Sequence, residues 1–578
     1  MRDLKRIFSH MGHYRRELMA AMVLIFVETG FELVIPLLMA DIIDVGVQTR
    51  DVHYILGKGI QMGICALLAL ITGLLYARYA ARAAFGFGAS LREAEFMAVQ
   101  GYDFSNLDRF DSSSLVTRMT TDVTVMQNAV STGLRPMVRG PAMLIFGVGL
   151  SFYMNPRLAL VFVVCAPILA LVLVFVVGKV APMYRRLQVV MDRMNAIVQE
   201  GLTAIRAVKA FVRDEYEEEK FQSVNSELMA TSQRTFRFAV LNLPAFQATM
   251  YAAVVLIMWF GGQMIHTGSL EVGDLTGFLS YVLQVMNALM MISNVFLMLT
   301  RSLASAHRIA EVLDERPALA SPDSPVPTVT DGSVEFDDVS FRYSAGAQED
   351  VLSHINLKIR AGQTVGLIGG TGSAKTSLVQ LIPRLYDASG GSVRVGGRDV
   401  RSYDLAALRD AVGIVLQKNV LFSGTIRDNL RWGDPDADDE TLWAACRAAC
   451  ADEFLERMPD GLDTELGQGG VNVSGGQKQR LCIARTLLKR PKILILDDST
   501  SAVDTKTDAK IRATLAKLRQ ITKIIIAQRI TSVMDADLIV ILDDGRISDA
   551  GTHSELLERS PIYQELYYSQ QKGGEEVG

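Results

Sequence analysis

Two stretches in the C-terminal half hold residue types whose spacing suits phosphate chemistry. The first is Gly369-Gly370-Thr371-Gly372-Ser373-Ala374-Lys375-Thr376. It follows the short apolar run Thr364–Ile368, which predicts a buried strand, and precedes a helical pattern that opens at Ser377. Closely spaced glycines let backbone N–H groups approach phosphate oxygens, and the helix N-terminus adds its positive end. Lys375 is then placed to reach the β and γ phosphates of a nucleotide, and the Thr376 hydroxyl to bind Mg²⁺. The P-loop pattern wants Gly where Ala374 stands. A methyl group there either crowds the phosphates or is accommodated if the residue is already helical. The second stretch is Ile493-Leu494-Ile495-Leu496-Asp497, an apolar strand ending in a carboxylate. Such a strand is weak evidence alone. Paired with the phosphate loop, Asp497 reads as the carboxylate that holds Mg²⁺ through water.

Both stretches need a scaffold of parallel strands with helices between them. Val334–Phe341 alternates like a strand, and apolar runs recur at residues 524–527 and 538–542. Apolar strands interleaved with helical stretches predict an α/β nucleotide-binding domain. Pro317, Pro322, Pro325 and Pro327 stand among Ser, Asp and Thr ahead of it and mark residues 313–332 as a linker.

Upstream of the linker the composition is of another kind. The 578 residues are 49% hydrophobic and 21% charged, with a mean hydropathy of +0.23. That average is too apolar for an ordinary soluble enzyme and too charged for a chain embedded throughout in lipid. Runs free of Asp, Glu, Lys and Arg lie between Lys58 and Arg78, Arg139 and Arg157, Arg157 and Lys179, Arg237 and Glu271, and Asp274 and Arg301. A span needs about 20 apolar residues. Residues 18–40 make a further span, although Glu28 and Glu32 interrupt it. A signal peptide is excluded there by that interruption and by the lack of a small-residue exit. Six spans result. Short connections near residues 47–57, 155–156 and 266–273 alternate with long helical ones, 80–137 and 180–236. Near the span ends, Arg and Lys concentrate on the long-connection side, with Arg2, Lys5, Arg6, Arg15 and Arg16. This charge bias puts the N-terminus, the long connections and everything after Arg301 in the cytosol. The net charge of −5, from 58 basic and 63 acidic residues, gives no global footprint for nucleic acid. Five scattered cysteines read as buried or idle thiols. Cys446 and Cys450 lie one helical turn apart without further ligands of matching spacing.

Val473-Ser474-Gly475-Gly476-Gln477, followed by Lys478-Gln479-Arg480, resembles the signature motif of ATP-binding cassette (ABC) transporters. With it, the chain as a whole resembles a type IV ABC exporter half-transporter of the multidrug type. The implied fold is a membrane all-α domain of six transmembrane helices with long cytosolic extensions, then an α/β P-loop ABC ATPase domain. The implied division is an N-terminal cytosolic elbow (1–16), a transmembrane domain (17–312), the linker (313–332) and the nucleotide-binding domain (333–578). The resemblance makes Tyr343 the aromatic that stacks on adenine, Gln417 the glutamine that reaches Mg²⁺, and Ser501-Ala502-Val503-Asp504 the D-loop. It places the coupling helices in residues 110–128 and 200–221. It also implies that two such chains pair head to tail around two ATP molecules, at the cytoplasmic (inner) membrane of a cell.

Three residues depart from the family pattern in the ATP site this chain would build. Asp498 stands where the catalytic Glu belongs, one methylene short. Gln528 replaces the switch His. Ala374 replaces Gly. Ser474, Gly475, Gly476 and Gln477 are intact, and head-to-tail pairing offers them to the other chain's ATP. The expectation is a heterodimer in which this chain binds ATP, hydrolyses it slowly, and completes a competent site on its partner. Glu28 and Glu32, at i and i+4 on the first span, are cavity candidates for cationic amphiphiles. Pairing with basic residues or placement among headgroups explains them equally. Met286 and Met290 on the sixth span are adaptable surface that suits a cavity, or ordinary packing. The expected cargo is lipophilic or amphipathic. A lipid flippase or peptide exporter shares the architecture, and an ATP-binding regulatory or channel subunit is a further reading.

Overall fold

In a computed structural model, residues 2–575 are described apart from 345, 346, 348 and 499–502. The chain forms two compact units, residues 1–100 with 112–315, and residues 101–111 with 316–578.

Six helices of the first unit are long and apolar enough to cross a bilayer. Their cores lie in Tyr14–Asp41, Val52–Gln100, Leu134–Met154, Pro156–Thr203, Asn242–His266 and Val272–Asp314. The second of these has 49 residues. At 1.5 Å per residue it is about 70 Å long, more than twice the hydrocarbon thickness. The apolar runs thus continue as helical stems into water. The N-terminal helix Arg2–Ser9 packs Ile7 against the Phe87 and Ile309 cluster. At the opposite end Asp44 accepts hydrogen bonds from the N–H groups of Gly273 (2.5 Å) and Asp274 (3.0 Å). A carboxylate thereby meets the positive end of the last long helix.

The charges inside the spans are paired. Glu28, 4% exposed, bonds Arg135, and Arg139 bonds Glu32 and lies 3.9 Å from Glu28. A Cβ at Gly73 would come within 3.1 Å of the Glu28 carboxylate, so the missing side chain makes room for it. Of the open explanations for these two glutamates, the structure takes pairing with basic residues.

In the second unit, five parallel strands and one antiparallel edge form the central sheet. Its order is Arg546–Gly551, Leu538–Asp543, Thr364–Ile368, Thr522–Ile526, Ile493–Asp497, Val412–Val415. Ile526 lies opposite both Leu367 and Asp497. A smaller antiparallel sheet contains Leu352–Ile359, Val334–Phe341, Gly390–Val395 and Arg398–Asp399.

Residues 101–111 pack within this unit. Asp103 caps the short helix Phe104–Arg109 in a capping box with Asn106. Its other oxygen accepts from the N–H groups of Ala318 (2.7 Å) and Leu319 (3.0 Å), and Tyr386 donates to Asp108 at 2.7 Å. Burial opposes the ionised form of Asp103. The Ser105 hydroxyl and the N–H groups of Asn106, Leu319 and Ala318 outweigh it and hold the carboxyl below its ordinary range. The expectation that the first docking segment begins at residue 110 is corrected. The docked helix ends at Arg109, because the acceptors that fix it are Asp103 and Asp108.

The buried glutamate yields a stability test. Glu28→Ala leaves Arg135 without its carboxylate while Arg139 keeps Glu32, and breaking such a buried pair costs roughly 3–5 kcal/mol. The thermal midpoint of the detergent-purified protein should fall by several degrees, and by less for the half-buried Glu32→Ala. An unchanged midpoint for Glu28→Ala would remove the pairing from any role in stability.

Candidate functional site

The parallel register puts three strand ends side by side. Gly369, Ala527 with Gln528, and Asp497 with Asp498 all leave the same edge of the sheet. Ligands in such sheets bind outside the carboxyl ends of the strands. A cavity of about 540 Å³ opens there, lined by residues 369–377, Gln417, Asp497, Asp498 and Gln528. Gly369, Gly370, Thr371, Gly372, Ser373, Ala374, Lys375, Thr376 and Ser377 are therefore brought together as the spacing predicts.

Gly369 sits at φ +153° with the Leu542 carbonyl only 2.0 Å from where a Cβ would be. No other residue fits. Ala374 has φ 66° and ψ 23°, immediately before the helix Lys375–Gln380. It is left-handed, not helical, so the accommodation that the sequence left open is not the one used. Left-handed backbone costs an L-residue roughly 1–2 kcal/mol. The methyl group packs against the core of the domain.

Lys375 bridges the loop, donating to the carbonyls of Gly369 (3.0 Å) and Gly370 (2.7 Å) and to the Ser373 hydroxyl (3.1 Å). Burial lowers its pKa against the opposing pull of Asp497 and Asp498. Thr376 donates to one oxygen of Asp497 at 3.1 Å. The other, Oδ2, is buried with no hydrogen-bond partner among the described residues. An orphaned carboxylate oxygen beside a hydroxyl and the Gln417 amide is an all-oxygen set that suits Mg²⁺. Thr376, Asp497 and Gln417 would hold that ion, which would offset the charge of nucleotide phosphates.

Asp498 and Gln528 meet. The Gln528 side-chain amide donates to Asp498 Oδ2 at 2.8 Å. Asp498 stands at φ 47°, its N–H bonded to the Ile526 carbonyl at 3.1 Å. Burial raises its pKa, while the Gln528 bond and the charges of Lys375 and Arg529 lower it. The amide fixes the carboxylate and occupies one of its oxygens.

Tyr343 is half exposed and does not line the cavity. Its hydroxyl pairs with that of Ser377 at 2.8 Å, and its ring stands edge-on to Tyr386. Ser474 caps the helix Gly475–Leu488 in a capping box with Gln477, and none of residues 474–477 lines the cavity. In the D-loop, Ser501 and Ala502 lie outside the described residues. Val503 is buried, and Asp504 caps the helix Thr505–Ala516. Of the membrane candidates, Met286 is fully buried in the helix packing and Met290 partly so. Buried Glu28 and Met286 fit the pairing and packing alternatives that the sequence left open.

Three contributors were missed. Val351 and Leu566 line the cavity. Gln570 clamps the Gln528 segment, donating to the Gln528 carbonyl (2.9 Å) and accepting from the Ile530 N–H (2.9 Å). The C-terminal helix Pro561–Glu575 carries two of them. Its amphipathic pattern was the only sequence signal, and it points to packing.

Comparison with known proteins agrees with this geometry. Residues 18–289 match the family model described as ABC transporter transmembrane region, and residues 352–501 the one described as ABC transporter. The chain is 38% identical to YfiB of Bacillus subtilis, an uncharacterized ABC transporter ATP-binding protein, over 95% of this chain and 96% of that one. It is 33% identical to the ATP-dependent lipid A-core flippase of Desulfotalea psychrophila, over 98% and 99%. The structure of a bacterial Atm1-family ABC exporter with ATP bound shares its fold, with a TM-score of 0.80, 24% identity and coverage of 96% and 98%. With its six spanning helices followed by an ABC ATPase domain, this multi-pass integral membrane protein belongs to the ABC transporter family.

Proposed function

We propose that the chain is one half of an ATP-driven exporter of lipophilic or amphipathic compounds, with its N-terminus and ATPase domain in the cytosol at the cell membrane. Its own site binds ATP and Mg²⁺ and hydrolyses slowly. Its signature residues Ser474, Gly475, Gly476 and Gln477 complete the site of a different, catalytically intact partner chain, a heterodimer being favoured over a homodimer. The observation that carries this reading is the Gln528–Asp498 hydrogen bond. A general base must reach the attacking water with a free oxygen. Here the carboxylate is a methylene short and one of its oxygens is engaged by an amide. Misplacement of about 1 Å costs about 10²-fold, and general-base help is worth about 10²–10⁴. The binding parts keep their donors, since Lys375, Thr376 and Asp497 converge on one cavity.

A lipid cargo is the second reading. Relatives described as lipid A-core flippases, such as the one 33% identical over nearly the whole chain, favour it. Substrate-stimulated ATPase measured across lipids and lipophilic dyes separates the two.

Restoring both residues tests the slow site. Asp498→Glu with Gln528→His should raise hydrolysis at this chain's site about 100-fold, read as single-turnover ATP cleavage in the complex purified through a tag on this chain. Mass spectrometry of that complex should find a second ABC chain. A homodimer that already turns over at the restored rate would overturn both parts. Ala374→Gly should remove the left-handed penalty. It is expected to stabilise the ATPase domain by about 1 kcal/mol, seen as a higher melting temperature with ATP binding retained. A lower melting temperature would mean that the packing of the methyl group outweighs the backbone strain.

A further inference from the structure

The strand Thr522–Ile526 ends before it reaches Gln528. Its last bond to the sheet is donated by the Ala527 N–H to the Leu367 carbonyl at 3.2 Å. Gln528, whose amide holds Asp498, therefore stands on backbone that the sheet no longer fixes. Gln570 takes over there. Its side-chain amide donates to the Gln528 carbonyl (2.9 Å) and accepts from the Ile530 N–H (2.9 Å). A carbonyl and the N–H two residues on are the groups that one residue of a parallel neighbouring strand would engage. Among the described residues neither group has another hydrogen-bond partner. Ile530 is buried, so its N–H would be costly to leave unpaired.

The helix that carries Gln570, Pro561–Glu575, is held from beneath. Tyr563 is fully buried in one cluster with Ile368, Ile530, Ile541 and Leu556, and its hydroxyl pairs with His553 Nδ1 at 2.6 Å. Leu566 packs partly against the same cluster and lines the nucleotide cavity. Ile368 directly precedes the phosphate loop, so that loop, the Gln528 segment and the helix share one core. Tyr563, Leu566 and Gln570 follow one another at helical spacing and share a face. The last position of that stripe is polar where packing alone calls for an apolar residue.

We propose that Gln570 is a positioning residue for ATP hydrolysis. By clamping the backbone on both sides of Arg529, it sets where the Gln528 amide stands and, through that amide, the direction of the Asp498 carboxylate. A carboxylate fixed through one oxygen has its other oxygen aimed as well. Gln570 does not line the cavity, and Lys375 and Thr376 sit on a different loop, so ATP binding does not pass through the clamp. This role rests on the reading of Gln528 and Asp498 as the groups that act at this chain's own site. It does not rest on how fast that site turns over.

The test uses the complex purified through a tag on this chain, photolabelled with azido-ATP radiolabelled at the α or the γ phosphate. After the chains are separated, loss of γ label relative to α label reads cleavage at this chain's own site. Gln570→Met keeps the length of the side chain and removes both hydrogen bonds, and the exposed position spares the core. Cleavage should slow at least about tenfold, since about 1 Å of misplacement costs about 10²-fold, while α labelling across ATP concentrations stays unchanged. Gln570→Glu keeps the acceptor for Ile530 but loses the donor to Gln528, and should be slowed as well. Hydrogen exchange of the peptide spanning residues 527–533 separates the two variants, with protection lost in Gln570→Met and kept in Gln570→Glu. Ser569→Ala, on the same helix, should change neither readout. A Gln570→Met rate equal to or above that of the wild type, a parallel fall in ATP labelling, or undiminished protection would each overturn the proposal. A fast wild-type rate that Gln570→Met still cuts would support the clamp while removing the slow site.

Discussion

The ATP site depends on one constraint, the register of three parallel strands. Ile526 stands opposite both Leu367 and Asp497. A shift of one residue in either pairing would turn every side chain of that strand to the other face. It would also move Gln528 away from Asp498 and Lys375 away from the carboxylates. The buried residues of the strands, among them Val365, Leu367, Ile495, Leu496, Ile524 and Ile526, hold that register by packing. The chemistry at the edge is then a consequence of the core. The loop needs its glycines because Leu542 of the neighbouring strand crowds Gly369, and the metal carboxylate is presented because its strand ends there.

The membrane unit obeys a different constraint. Lipid offers no water to a charge, so every carboxylate placed in a span needs a partner supplied by another helix. Glu28 and Glu32 find theirs on the third span, in Arg135 and Arg139. The pairing links two helices at a fixed rotation, and Gly73 on the second helix leaves the space it occupies. The Tyr281 hydroxyl adds a similar tie from the sixth helix, donating to the Leu33 carbonyl at 2.6 Å. Apolar packing alone specifies rotation weakly in such a bundle, and these polar contacts specify it locally.

What was legible in the sequence follows from range. The phosphate loop was legible because it is built from consecutive residues whose backbone does the work. The six spans were legible because an apolar run of bilayer length has few other meanings. Features that depend on distant partners were not. Glu28 and Arg135 are 107 residues apart, and each alone reads as an anomaly. Leu566 and Gln570 reach the site from the C-terminal helix, whose pattern signals only packing. The docked helix was displaced by a few residues because its position is set by Asp103 and Asp108 meeting Ala318, Leu319 and Tyr386, more than 200 residues on. Ala374 was the subtlest. Its type was plainly unusual, but whether it was helical or left-handed is a backbone angle that no neighbouring residue announces.

The pattern of change around the ATP site has a physical logic of its own. Here Lys375 and Thr376 stand in the loop beside Asp497, one of whose oxygens has no hydrogen-bond partner among the described residues. Of the three altered residues, Ala374 lies in that loop, and the other two, Asp498 and Gln528, hydrogen-bond each other. A short carboxylate held by an amide is a stable resting arrangement, because the hydrogen bond compensates part of the cost of burying the charge. The signature segment does not share in these changes. Ser474 and Gln477 cap their helix reciprocally and leave Ser474 and Gly475 exposed at its N-terminus, outside the chain's own cavity. A helix end of that kind gains most from an anion brought by another molecule. The signature segment and the chain's own cavity are thus separate features, and only the cavity carries Ala374, Asp498 and Gln528.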